Sequence, residues 1–136
     1  MLATGACTPG PAEHTLIITG TDYAFQAPGT MPPGPAVIRF VNQGKVLHEM
    51  ALVRLEAGAT LDQVLERMRR GGTPEELLDD MAGVLFAAPG DSSFGRLVVE
   101  LSSGRTYGMI CFLQDAPDQP PHLALGMVAS FQVKSP

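Results

Sequence analysis

Near the C-terminus, Cys111 closes the apolar run TYGMIC, His122 follows the polar, proline-rich stretch FLQDAPDQPP, and Met127 follows LALG. Thiolate, imidazole and thioether are soft and borderline donors suited to copper. Two imidazoles, one thiolate and a weak axial thioether together hold copper for one-electron exchange. This segment supplies one imidazole, so the second must come from elsewhere, and His48 in VLHEM stands where a strand would carry it. Taken singly, each residue has a plainer reading: a buried Cys is a small hydrophobe, a Met fills core space, and a His is a satisfied polar group. Cys111 with His48 or His122 could also form an activated thiolate nucleophile, but no protease or redox-enzyme signature surrounds it.

The elements that would position these residues read mainly as strands. Residues 15–26 (TLIITGTDYAFQ) form a β-rich run kinked at Gly20 and stopped by Pro28-Gly29 and Pro32-Pro33-Gly34-Pro35. Residues 36–41 (AVIRFV) and 46–55 (VLHEMALVRL) are two more, joined by Asn42-Gln43-Gly44-Lys45, which reads as a hairpin turn. Alternation places His48 on one face with Val46, Met50 and Leu52, pointing inward, and Glu49 on the other. Strands at 94–101 and 106–113 follow, the second carrying Tyr107, Met109 and Cys111 on one face. A last strand from about Leu125 to Val133 carries Met127, Ala129, Phe131 and Val133 on one face.

Between about residues 60 and 82 the period becomes helical. Thr60 with Gln63 makes a capping box, and Leu61, Val64, Leu65 and Met68 share a face before Gly71-Gly72. Thr73-Pro74-Glu75-Glu76 repeats the start signal, so a second, shorter helix is expected through Met81. Its acidic residues, Glu75, Glu76, Asp79 and Asp80, read as a solvated face without chemistry. Many strands with one helical excursion predict an all-β, antiparallel Greek-key sandwich with a short helical insertion.

A chain of 136 residues, 45% hydrophobic, suits one domain with one core. A net charge of -5 and nine basic residues without aromatic interleaving argue against a nucleic-acid partner. No run approaches the roughly 20 apolar residues of a membrane span. Residues 1–13 read as a flexible tail before a domain at 14–136. In that tail Leu2-Ala3-Thr4-Gly5-Ala6-Cys7 resembles the end of a bacterial lipoprotein leader, with Cys7 the residue to be lipidated. Membrane attachment through a lipid at Cys7 is then expected; the alternatives are an incidental thiol, or a disulfide with Cys111 that would be a poor staple.

With these pieces assembled, the chain resembles the cupredoxins, the blue copper proteins, from the first strand to Val133. FVNQGKVLHEM, SGRTYGMIC, PHLALGM and the closing SFQV carry the resemblance. The family's ligand order of His, Cys, His, Met falls on His48, Cys111, His122 and Met127. The resemblance implies one copper ion cycling between Cu(I) and Cu(II), one-electron transfer outside the cytoplasm in the bacterial periplasm or at the cell surface, and transient redox protein partners. His122 would be the electron exit, within an apolar docking rim of Pro120, Pro121, Leu123 and Leu125; the same residues could instead pack the loop.

Two departures stand out. The segment 112–121 is longer than in small carriers and nearer the long loop of copper nitrite reductases, and Glu49 stands where small carriers often place Asn. With three histidines in all, binding by His48 and His122 leaves only His14, too few for a catalytic copper cluster. The competing readings are a metal-free interaction or sensing module and a protein for copper delivery or storage.

Overall fold

The computed structural model describes Gly5 and residues 13–136, so Cys7 and the expectations for it lie outside the described residues. Two sheets face each other. The first runs in the order β2 (Ala24–Gln26), β1 (His14–Thr21), β4 (Gly34–Asn42), β7 (Leu97–Leu101). The second runs β3 (Thr30–Met31), β9 (Val128–Val133), β8 (Thr106–Ile110), β5 (His48–Leu55), β6 (Leu78–Ala87). The expected all-β sandwich is therefore present. Its pairings are antiparallel except for β1 with β4 and β3 with β9, which run parallel because the chain visits the opposite sheet between each pair.

Alternation explains what lies between the sheets. Leu16, Ile18, Ile38 and Phe40 from the first sheet meet Met50, Leu52, Tyr107, Met109 and Phe131 from the second, all buried, while Ile17 on β1 faces outward. Each large side chain buried here contributes about 1.5–3 kcal/mol. Tyr107 stacks on Phe131 with ring centroids 5.4 Å apart, and its hydroxyl accepts the Ser102 N–H at 3.0 Å. The outer face of the second sheet is covered by α1 (Leu61–Arg69), whose Val64 packs against Val53, Leu55 and Ile110. Its start is the predicted capping box: the Thr60 hydroxyl accepts the Gln63 N–H and the Gln63 side chain accepts the Thr60 N–H.

Three local expectations are corrected. Residues 15–26 are not one strand: the chain reverses at Asp22-Tyr23 and β2 pairs back on β1, with Tyr23 at φ 70°. Residues 42–45 do not close a hairpin, because β4 and β5 lie in different sheets and the segment crosses between them. The crossing is held by Asn42, fully buried, which donates to the carbonyls of Val46 and Ala87 and accepts the Gly44 N–H.

The second helix is replaced by a single 3-10 turn, Glu75–Leu77, followed by β6. The N-cap position falls on Pro74, which offers no side-chain cap, and β6 pairs with β5 from Leu55↔Leu78 to His48↔Ala87 with two register shifts on the way. A cap contributes about 1 kcal/mol, which the backbone pairing with β5 and the inward burial of Leu85 and Ala87 outweigh. Asp79 is exposed, as a solvated acidic face requires, and also accepts from Arg54 at 2.7 Å and Arg105 at 2.6 Å.

Candidate metal centre

His48 begins β5, Cys111 directly follows β8, and His122 opens a 3-10 turn, His122–Leu125, that leads into β9. Since β8 lies between β5 and β9, these three points converge at one end of the second sheet. The long segment 112–121 does not separate its two ends. The His122 N–H donates to the Leu113 carbonyl at 2.8 Å and the Leu123 N–H to the Cys111 carbonyl at 2.9 Å, so the extra residues loop outward beyond a closed neck.

The ligand atoms of His48, Cys111 and His122 all lie within 4.8 Å of one another, and all three residues are buried. Nδ1 of His48 is 3.1 Å from Nδ1 of His122, which is 3.4 Å from the Cys111 sulfur. The opposite nitrogens are spoken for: Nε2 of His48 meets Asp22 at 2.9 Å and Nε2 of His122 meets Asp115 at 2.8 Å. A carboxylate can only accept, so each Nε2 carries its proton and each ring turns Nδ1 inward. Two ring nitrogens facing each other beside a sulfur can share a positive centre, either a proton or a metal ion. Imidazoles oriented by carboxylates are the usual outer-sphere support of a metal ion. The donor set therefore fits a soft or borderline metal.

The surroundings tune these groups. Burial pushes the Cys111 thiol up, while backbone amides of Glu49 and Leu113 facing the sulfur pull it back. The His48 hydrogen bond holds Asp22 below the usual carboxylate range. Tyr23 donates to Asp115 at 2.6 Å, and this bond, then that of His122, holds Asp115 low, while Asp115 in turn raises the Tyr23 phenol. Glu49 is buried and accepts the Phe112 N–H at 2.8 Å, tying the start of β5 to the residue after Cys111.

Met127 is fully buried on the same inner face, its N–H donating to the His122 carbonyl and its carbonyl accepting the Cys111 N–H. The expected rim divides. Pro120 and Leu125 are exposed, whereas Pro121 and Leu123 are half-buried and help line a groove of about 510 Å³ beside Leu65 and Met68 of α1. The His122 ring itself is 1% exposed, covered by Tyr23 and Asp115.

No protein-family model and no curated protein matches the chain in sequence. Among solved structures, the reduced auracyanin of Roseiflexus castenholzii superposes with a TM-score of 0.54 at 22% identity, covering 88% of this chain and 95% of that one. Auracyanin A, a "blue" copper protein of Chloroflexus aurantiacus, gives 0.55 at 21% identity over 90% and 99%. Auracyanin B gives 0.53 at 21% identity over 93% and 91%.

The chain has the cupredoxin fold.

In this cupredoxin frame, four residues that sequence reading did not assign to the site stand next to its donors. Asp22 and Tyr23 lay inside what reads as a continuous strand, and Asp115 inside a polar loop with no periodicity. In sequence Glu49 stands out only as a departure from Asn, yet its carboxylate oxygen accepts a backbone N–H as an amide oxygen would.

Proposed function

We propose that this protein binds one copper ion through His48, Cys111 and His122, with Met127 as the weak fourth ligand, and acts as a one-electron carrier. The observation that supports it most is the buried convergence of two Nδ1 atoms and one sulfur, each imidazole backed by a carboxylate. When bound, copper supplies a Cu(I)/Cu(II) couple, and the thiolate and imidazoles suit both states. The chain's own part is to keep the donors still. His48 sits in a paired strand and His122 in a turn bonded to Leu113, so neither need move when the charge at the centre changes by one.

A redox protein would meet the carrier through a small, transient interface. The leader-like residues before Cys7 support a place outside the cytoplasm, lipid-anchored in the periplasm or at the cell surface. Three histidines in the chain support a carrier over a multi-copper catalyst.

The test is titration of purified protein with Cu(II) while recording its visible spectrum. One equivalent producing an intense thiolate-to-copper band, absent in Cys111→Ser, is the expected result. No uptake at stoichiometric copper sinks the reading, and a colourless complex that takes only Cu(I) and gives it up readily replaces it with delivery.

A further inference from the structure

The turn between β1 and β2 does more than reverse the chain. Tyr23 occupies a left-handed conformation at φ 70°, a region bulky residues seldom adopt unless their surroundings enforce it. That conformation sends two consecutive side chains to the two histidines. Asp22 accepts from His48 Nε2 and is itself anchored by the Lys45 N–H at 2.9 and 3.1 Å. Tyr23 lays its ring edge-on against His122 at 4.9 Å and faces His48 at 6.1 Å, while its hydroxyl bonds Asp115, which holds His122 Nε2. Asp22 and Asp115 side chains are 32% and 35% exposed, against 0% and 1% for the two histidines they hold. These three residues thus stand between the two imidazoles and water.

We propose that Asp22, Tyr23 and Asp115 form a clamp of positioning residues that keeps both imidazoles Nδ1-inward and closes the solvent side of the centre, so that bound metal exchanges slowly. This rests on the copper reading above. Loss of an outer-sphere partner of a ligating histidine typically lowers metal affinity about 10–100-fold. Tyr23 adds a second effect, since its ring covers the route by which a competing chelator would reach His122.

The experiment uses copper-loaded full-length protein and follows transfer of Cu(I) to bicinchoninate, with Cu(II) visible and electron paramagnetic resonance spectra recorded in parallel. Tyr23→Gly removes the ring while relieving the backbone at positive φ; it is expected to speed transfer about tenfold or more with the fold intact by circular dichroism. Tyr23→Phe keeps the ring but frees Asp115, and a smaller acceleration is expected. Asp115→Ala should weaken copper binding about 10–100-fold and alter the spectra, whereas Asp115→Asn keeps an acceptor for His122 and should restore both toward wild type. Wild-type transfer rates in Tyr23→Gly and Tyr23→Phe, with unchanged spectra in Asp115→Ala, overturn the clamp while leaving the copper reading standing. A wild-type chain that takes up no copper overturns the copper reading and the clamp with it.

Discussion

Substituting alanine at Gly44 separates the support of the centre from its donors. Gly44 has no positive φ, so alanine is allowed by the backbone. Its Cβ, however, would collide with the Asp22 carboxylate oxygen and stand 3.0 Å from both Asp22 Cγ and His48 Nε2. His48 is fixed at the start of a paired strand, while Asp22 is the end of a side chain one-third exposed to water, so Asp22 must give way. Its bonds to His48 Nε2 and the Lys45 N–H are then lost.

Hydrogen bonds to a charged group are each worth about 1.5–3 kcal/mol, but partial solvent exposure brings the net stability loss down to about 1–2 kcal/mol. Copper affinity is expected to fall more, about 10–100-fold, because His48 loses the carboxylate that orients its ring. Gly29→Ala, where nothing lies within 4 Å, is the matched control. Competitive copper titration and urea unfolding of both variants read the two effects apart. Gly44→Ala binding copper within twofold of wild type would refute the reasoning that Asp22 positions His48.

Cys111 leads to two pH effects. Its folded-state thiol pKa is raised by burial, so in the metal-free protein the stability it contributes is present below the unfolded thiol value of about 8.5. That contribution is lost as pH rises through the folded value, and urea unfolding from pH 7 to 10 should show a loss that Cys111→Ser abolishes. Because copper takes the thiolate, uptake should release a proton and affinity should rise about tenfold per pH unit near neutrality, measurable by titration in weak buffer. Asp22 and Asp115 have lowered pKa values, so their contribution is present above about pH 3.9 and lost as pH falls through their folded values; Asp115→Asn should flatten the acid limb of the stability profile. Glu49→Gln keeps an acceptor for the Phe112 N–H but removes a charge that opposes the thiolate, so voltammetry should show a potential raised by roughly tens of millivolts. Tyr107→Phe removes the acceptor of the part-buried Ser102 N–H, costing about 0.5–1.5 kcal/mol and lowering Tm by a few degrees in a thermal melt.

Where one physical rule governs a segment, the sequence is enough to read it. Alternation along 46–55 correctly turned His48, Met50 and Leu52 inward, and the Thr60 to Gln63 box correctly started α1. Errors arose where tertiary pairing competes with a local signal. Leu77, Leu78 and Met81 fit helical spacing, yet β5 offered β6 a whole strand of backbone partners, and Met81 is exposed at 51%. Asn42-Gln43-Gly44-Lys45 has turn chemistry, but that chemistry does not say whether the next strand joins the same sheet.

The centre was legible as a set of donor types and illegible as a built site. His48, Cys111 and His122 announce themselves by chemistry. Asp22, Tyr23 and Asp115 do so only once β1 turns at Asp22-Tyr23 and the segment 112–121 closes its neck, because an Asp inside a strand-like run carries no periodic signal. The closed neck also explains why a long segment still delivers Cys111 and His122 to one point.

X-ray absorption at the copper edge of the loaded protein tests the central claim most directly. The account predicts a first shell of two imidazole nitrogens and one sulfur at ordinary bonding distance, with that sulfur lost in Cys111→Ser and one imidazole lost in His48→Ala. A first shell of nitrogen and oxygen alone, unchanged in Cys111→Ser, would contradict it.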